Sequence, residues 1–234
     1  MDVIHGTLTT WWQRRVYRVG RHIITPWKDP FMRALVRHPN GWILAALHYT
    51  IELPLLILDV FGFPEGFGWL QSIFKPYARS LDPMEIQTAQ SLFQDQVDLK
   101  KVKIDENSNL GTYRGKYAYV GYYYINSSSR LSLPVLMHEL VHIFQYEQVG
   151  SPYIFRNLIA HWSKHKYNYG GLTRLKQILK DPETVHQFNF EQRADIVSDY
   201  VLITSGQRPE WGYADSTDSH IYLEVIQLLM NTRD

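Results

Sequence analysis

The chain has 234 residues, 45% hydrophobic, 14% aromatic and 20% charged, with a net charge of +1 and no cysteine. This is the composition of a globular protein of one or two domains. It excludes disulfide scaffolds, thiol nucleophiles and cysteine-bound metal clusters, and so small a net charge argues against a nucleic-acid binder. The charge is unevenly spread: residues 1–40 carry seven basic and two acidic side chains (net +5), residues 181–234 three basic and ten acidic (net −7).

Residues 7–24 and 28–38 are expected to form short helices broken at Thr25-Pro26. The basic, Trp-bearing arm they make is expected to dock on the acidic C-terminal part of the chain. Residues 42–61 are the most apolar stretch and have the length of a membrane span. They contain His48, Glu52, Pro54 and Asp59, so a buried helix ending near Leu53, followed by a second apolar segment, is the favoured reading. Membrane contact through residues 11–61 is the lesser one. Gly62, Pro64, Gly66 and Gly68 predict a loop. The domain division expected is a helical accessory region over 1–80 and a second domain over 81–234.

Asp82-Pro83-Met84-Glu85 reads as a helix start, with Asp82 as N-cap and Glu85 closing a capping box. Alternating and β-branched patterns predict strands over 97–105 and 117–125. The second is a candidate edge strand, able to pair with an extended peptide, although most of its tyrosines are expected to serve packing. Helices follow over 134–148, 153–165, 172–179 and 218–230, with one more beginning at Asn189, where Gln192 completes a partial capping box. The fold class expected is α+β, mainly α, with a small antiparallel or mixed sheet. No signal peptide is apparent, so a cytoplasmic protein, or one exported without a classical signal peptide, is expected.

The strongest chemical signal is His138-Glu139-Leu140-Val141-His142. On a helix, positions i and i+4 lie only about 40° apart, so both imidazoles can hold one Zn²⁺. Glu139 stands next to that stripe, where it can take a proton from an activated water. Glu191 and Asp195 share a later helical face; Glu191 is the preferred third ligand, and Asp195 could accept the remaining N–H of a ligating histidine. His161, His165, His186, His220, Glu147 and Asp199 are the other donors for the third position. A donor for the scissile carbonyl oxygen should be a Tyr, His or Arg, and Tyr146, Tyr153, Tyr200 and His220 are the candidates. Asp215, Asp218 and Glu224 read as surface and helix-start acids.

With these residues in place, the chain resembles the gluzincin group of zinc metallopeptidases. Over 81–200 it is similar to the zincin-like metallopeptidase domain of bacterial Rhs-type toxins and contractile-injection cargo proteins. The resemblance rests on the lead-in LDPMEIQTAQSLFQDQVDLKKVKI, on MHELVHIFQY with Gln145, and on NFEQRADIVSDY. It implies a zincin-like fold, with His138, His142 and Glu191 as zinc ligands, Glu139 as general base and Asp195 behind the ligands. It also implies peptide-bond hydrolysis of a peptide or protein substrate. The spacing of 49 residues between His142 and Glu191 is long for thermolysin-like enzymes, and the first 80 residues lie outside the resemblance. The rival reading is a zincin-fold metal-binding module, structural or secretion-associated, that performs no turnover.

Overall fold

The computed structural model describes residues 8–29, 32, 33, 36, 41–108, 118–162 and 166–231. In chain order the helices are α1 (Leu8–Ile24), α2 (Gly41–Val60), α3 (Phe63–Phe74) and α4 (Pro83–Phe93). Strands β1 (Lys103–Asp105), β2 (Tyr119–Gly121) and β3 (Tyr124–Asn126) follow. Helices α5 (Leu133–Val149), α6 (Pro152–Trp162), α7 (Gly171–Lys180), α8 (Phe190–Thr204) and α9 (Ser219–Asn231) complete the chain. The architecture is mainly helical with one small mixed sheet, as the sequence pattern suggests.

The principal core lies between α5 and α8. Leu136, Leu140 and Ile143 of α5 meet Ala194, Val197 and Val201 of α8, with α4, α7 and α9 closing around them. Ala194 is wholly buried, and its small side chain lets the two helices approach closely. In the sheet the central strand β3 pairs in parallel with β1 and antiparallel with β2, so β2 is an edge. Both expected strands are shorter than the pattern predicts. Residues 97–102 form turns, and the segment expected as one strand over 117–125 bends at Tyr122-Tyr123 into a hairpin. Tyr122 holds φ at 60°, fixed by its burial against Phe67 and Tyr146 and by contact of its hydroxyl with Ser151 Oγ at 3.2 Å.

The first three helices correct several expectations. Helix α2 does not end at Leu53 but runs through Pro54 to Val60. Proline costs a helix the bond to the carbonyl four residues back, here Thr50, and both Pro54 and Thr50 are exposed. Nor is α2 a buried helix, since only 29% of its most apolar stretch is inside the protein. The glycine-rich segment expected as a loop is helix α3, entered through Gly62 at φ 76° with Pro64 in its first turn. The helix expected over 28–38 falls partly outside the described residues.

These helices join the rest of the chain through polar contacts. Arg156 of α6 grips Glu52 of α2 through two nitrogens, at 2.7 and 3.0 Å, and reaches Asp29 at 2.7 Å. Asp59 accepts the Ser151 backbone N–H at 2.8 Å and its hydroxyl. Arg15 and Arg18 of α1 do not go to the acidic C-terminal part as expected. Arg15 pairs with Glu65 and donates to the Asp59 carbonyl, and Arg18 donates to the Glu147 carbonyl at 2.5 Å.

Candidate metal centre

Two helices bring the centre together. Helix α5 starts with Pro134 in its first turn and stops at Gly150, which takes φ 78°. Between them it carries His138 and His142 on one face, with Glu139 beside them. Helix α8 is started by Asn189, whose side chain accepts the Gln192 N–H at 2.8 Å while the Gln192 side chain accepts the Asn189 N–H at 3.0 Å. That capping box sets Glu191 in the first turn and Asp195 one turn later, both facing α5.

The Nε2 atoms of His138 and His142 lie 3.2 and 3.4 Å from Glu191 Oε2. Ligand bonds of about 2.0–2.1 Å in tetrahedral geometry place neighbouring ligand atoms about 3.3 Å apart, so these separations are the edges of a zinc-sized tetrahedron. Donor atoms of the three residues all lie within 4.8 Å of one another, and the group could hold a metal ion. Although both nitrogens are close to it, Glu191 Oε2 has no hydrogen-bond partner; the same holds for the buried Glu139 Oε2. A buried oxygen without a partner is costly, and a cation shared with the two imidazoles would satisfy it. The residues therefore fit the group that the sequence implies.

The far sides of the two rings are anchored. His138 Nδ1 lies 2.7 Å from Asp195 Oδ1, and the other oxygen of Asp195 accepts the Trp211 indole N–H at 2.5 Å. His142 Nδ1 lies 2.9 Å from Gln145 Oε1, and the Gln145 amide donates at 2.9 Å to the carbonyl of Phe190, the residue before Glu191. Each ring thus donates its Nδ1–H away from the centre and leaves the Nε2 lone pair facing it. Gln145 also ties the second histidine directly to the backbone that presents the carboxylate. Residue spacing carries no sign of this link, because it couples a side chain to a distant main-chain carbonyl.

The charges are arranged accordingly. Burial opposes charge on Glu191, but His142 and His138 outweigh it and hold the carboxyl well below the usual carboxylate range. Burial likewise opposes protonation of His138, yet Asp195 and Glu191 raise it well above its ordinary value. His142 is also raised, chiefly by Glu191 working against burial. Burial pushes the Glu139 carboxyl up, and the two imidazoles moderate the shift. The upward shift makes the Glu139 carboxylate a stronger base than a solvated one.

A cavity of about 480 Å³ opens on His138, Glu139, His142 and Glu191. Its rim includes Ile154 and Leu158, both more than 40% exposed, so it reaches solvent. The edge strand contributes Tyr119 and Val120 to the opposite wall. Of the four candidate oxyanion donors, Tyr153 is at this cavity, buried, with its ring 5.9 Å from that of His142. The other three lie elsewhere. Tyr146 packs against Tyr122 and Tyr123, Tyr200 lies against the main core, and His220 is exposed with Nδ1 near the Thr217 carbonyl. Tyr167 and His161 also line the cavity, hydroxyl to Nδ1 at 2.9 Å. His161 is considered above only as a third ligand, and Tyr167 carries no sequence signal because a loop brings it in.

Of the other third-ligand candidates, Asp199 and Glu147 are engaged elsewhere. Asp199 accepts from the Tyr169 hydroxyl at 2.6 Å and from two backbone N–H groups, and Glu147 accepts from the Tyr123 hydroxyl. His186 lies in a short 3₁₀ segment, Pro182–Gln187, and His165 is outside the described residues. Comparison with known proteins finds no matching family, no matching curated protein and no matching solved structure.

Proposed function

We propose that the chain is a zinc-dependent metallopeptidase of zincin-like fold. The observation that carries this reading is the convergence of His138, His142 and Glu191 at zinc-ligand spacing in an open cavity, with the buried Glu139 beside them and its Oε2 without a hydrogen-bond partner. When bound, Zn²⁺ supplies Lewis acidity, lowering the pKa of a coordinated water and polarising a carbonyl. Glu139 takes the proton as the water oxygen adds to the peptide carbonyl. It then passes that proton to the amine nitrogen as the C–N bond breaks. Asp195 and Gln145 hold the imidazoles in the tautomer that this arrangement needs. The side of β2 that pairs with no other described strand suits an extended peptide, whose main chain would add to the sheet edge.

Three protein donors with a solvent-reached cavity over them favour turnover over a sealed metal-binding module, in which a fourth protein ligand is usual. Replacing Glu139 by Gln decides between them. The variant should retain zinc at the wild-type ratio while hydrolysis of an unfolded protein substrate falls by about 10³-fold. Zinc retention with unchanged hydrolysis would remove the general-base role. A wild-type protein that holds zinc and cleaves no peptide in a broad library would support the binding module.

A further inference from the structure

The first three helices are turned inside out relative to a water-facing layer. Helix α1 directs Arg15, Arg18 and His22 toward the protein and leaves Trp12, Val16 and Tyr17 exposed. Helix α2 buries its histidine and its two acids, His48, Glu52 and Asp59, while Trp42 (68% exposed), Leu47 and Ile57 face outward. Helix α3 buries Gln71 and exposes Trp69, Ile73 and Phe74 (75%). Soluble amphipathic helices do the reverse, and a monomer in water seldom exposes so much contiguous apolar surface. Because α1 packs along α2 and α2 against α3, the outward faces adjoin.

We propose that α1, α2 and α3 form a monotopic membrane-docking surface, seated in one leaflet of a bilayer that carries anionic headgroups. Three observations favour lipid over a protein partner. The outward face of α2 carries no charged residue along 20 residues, about 30 Å of helix, whereas protein interfaces have polar rims. The flanks supply cations: Arg14, Lys28 and Arg33 are exposed within an arm of net charge +5, the arrangement that anionic headgroups attract. Thirdly, a cavity of about 450 Å³ lined by Pro26, Met32, Arg33 and Val36 and by Ala45, Ala46 and Tyr49 of α2 presents almost no polar surface. A peptide backbone would find no hydrogen-bond partners there, while an acyl chain needs none.

This inference is independent of the metal reading, and its test uses the full chain. The protein is purified in mild detergent. The detergent is then removed in the presence of vesicles of phosphatidylcholine alone, or of about three parts phosphatidylcholine to one of phosphatidylglycerol. Wild-type protein should float with the vesicles, more strongly with phosphatidylglycerol and at low salt. The exposed-face double variant Leu47→Glu/Ile57→Glu should lose at least about tenfold in bound fraction, since carboxylates on the lipid face are costly. Its helical circular dichroism and bound-metal content should match wild type. Arg14→Glu/Lys28→Glu should lose only the phosphatidylglycerol increment. His142→Ala should float like wild type, which separates this proposal from the metal centre. Wild-type protein that stays unbound and soluble without detergent would overturn it. So would a discrete homo-oligomer in plain buffer that dissociates in the Leu47→Glu/Ile57→Glu variant, because that surface would then be a self-interface.

Discussion

His138 and His142 each have Nδ1 anchored and Nε2 turned toward Glu191, and the anchor decides what Nε2 can do. Asp195 Oδ1 at 2.7 Å fixes the first ring and Gln145 Oε1 at 2.9 Å the second. Replacing Asp195 by Ala should therefore weaken zinc by about 10–100-fold without removing a ligand, measured by competition with a chromogenic chelator. Affinity unchanged from wild type would mean that the ring needs no anchor. At this scale much was legible. The two histidines and Glu139 follow from helical spacing, and Glu191 with Asp195 from a shared helical face. The Gln145 bridge to the Phe190 carbonyl was not legible, because main-chain partners leave no residue pattern. Tyr167 and His161 reach the cavity through tertiary packing, which local spacing does not encode.

Among the elements, those with side-chain caps were predicted most closely. Asp82 with Glu85 and Asn189 with Gln192 both form full capping boxes, since each depends only on residues three apart. The misread elements are those in which packing overrides propensity. Helix α3 contains Gly66 and Gly68, each costing about 1 kcal/mol relative to alanine, yet it stays helical against Tyr122 and Gly121 through Phe67 and Gln71. The hairpin turn at Tyr122-Tyr123 carries no glycine or asparagine to mark it. The end of α5 gives a direct test of such packing. Gly150 adopts φ 78°, and a Cβ there would press into the Asp59 carboxylate that holds the start of α6. Gly150→Ala should cost about 1–3 kcal/mol in chemical denaturation; no loss would show that this junction yields freely.

Over the whole molecule, the near-zero net charge hides a division of labour. The acidic C-terminal part contributes Glu191 and Asp195 to the centre, while helix α1 turns Arg15 and Arg18 inward and Trp12, Val16 and Tyr17 outward. Arg156 of α6 ties the N-terminal helices to the rest of the chain, matched to the wholly buried Glu52 and to Asp29. Arg156→Ala would strand a buried carboxylate, and a loss of about 3–5 kcal/mol is expected, read by denaturation and by faster proteolysis within residues 8–74. Wild-type stability in that variant would mean that the N-terminal helices are held mainly by apolar contact. The account as a whole rests on the metal. Elemental analysis of purified wild-type and His142→Ala protein after equilibration with zinc tests it most directly. The account predicts close to one zinc per wild-type chain and little in the variant; no zinc in either protein, or equal zinc in both, would contradict it.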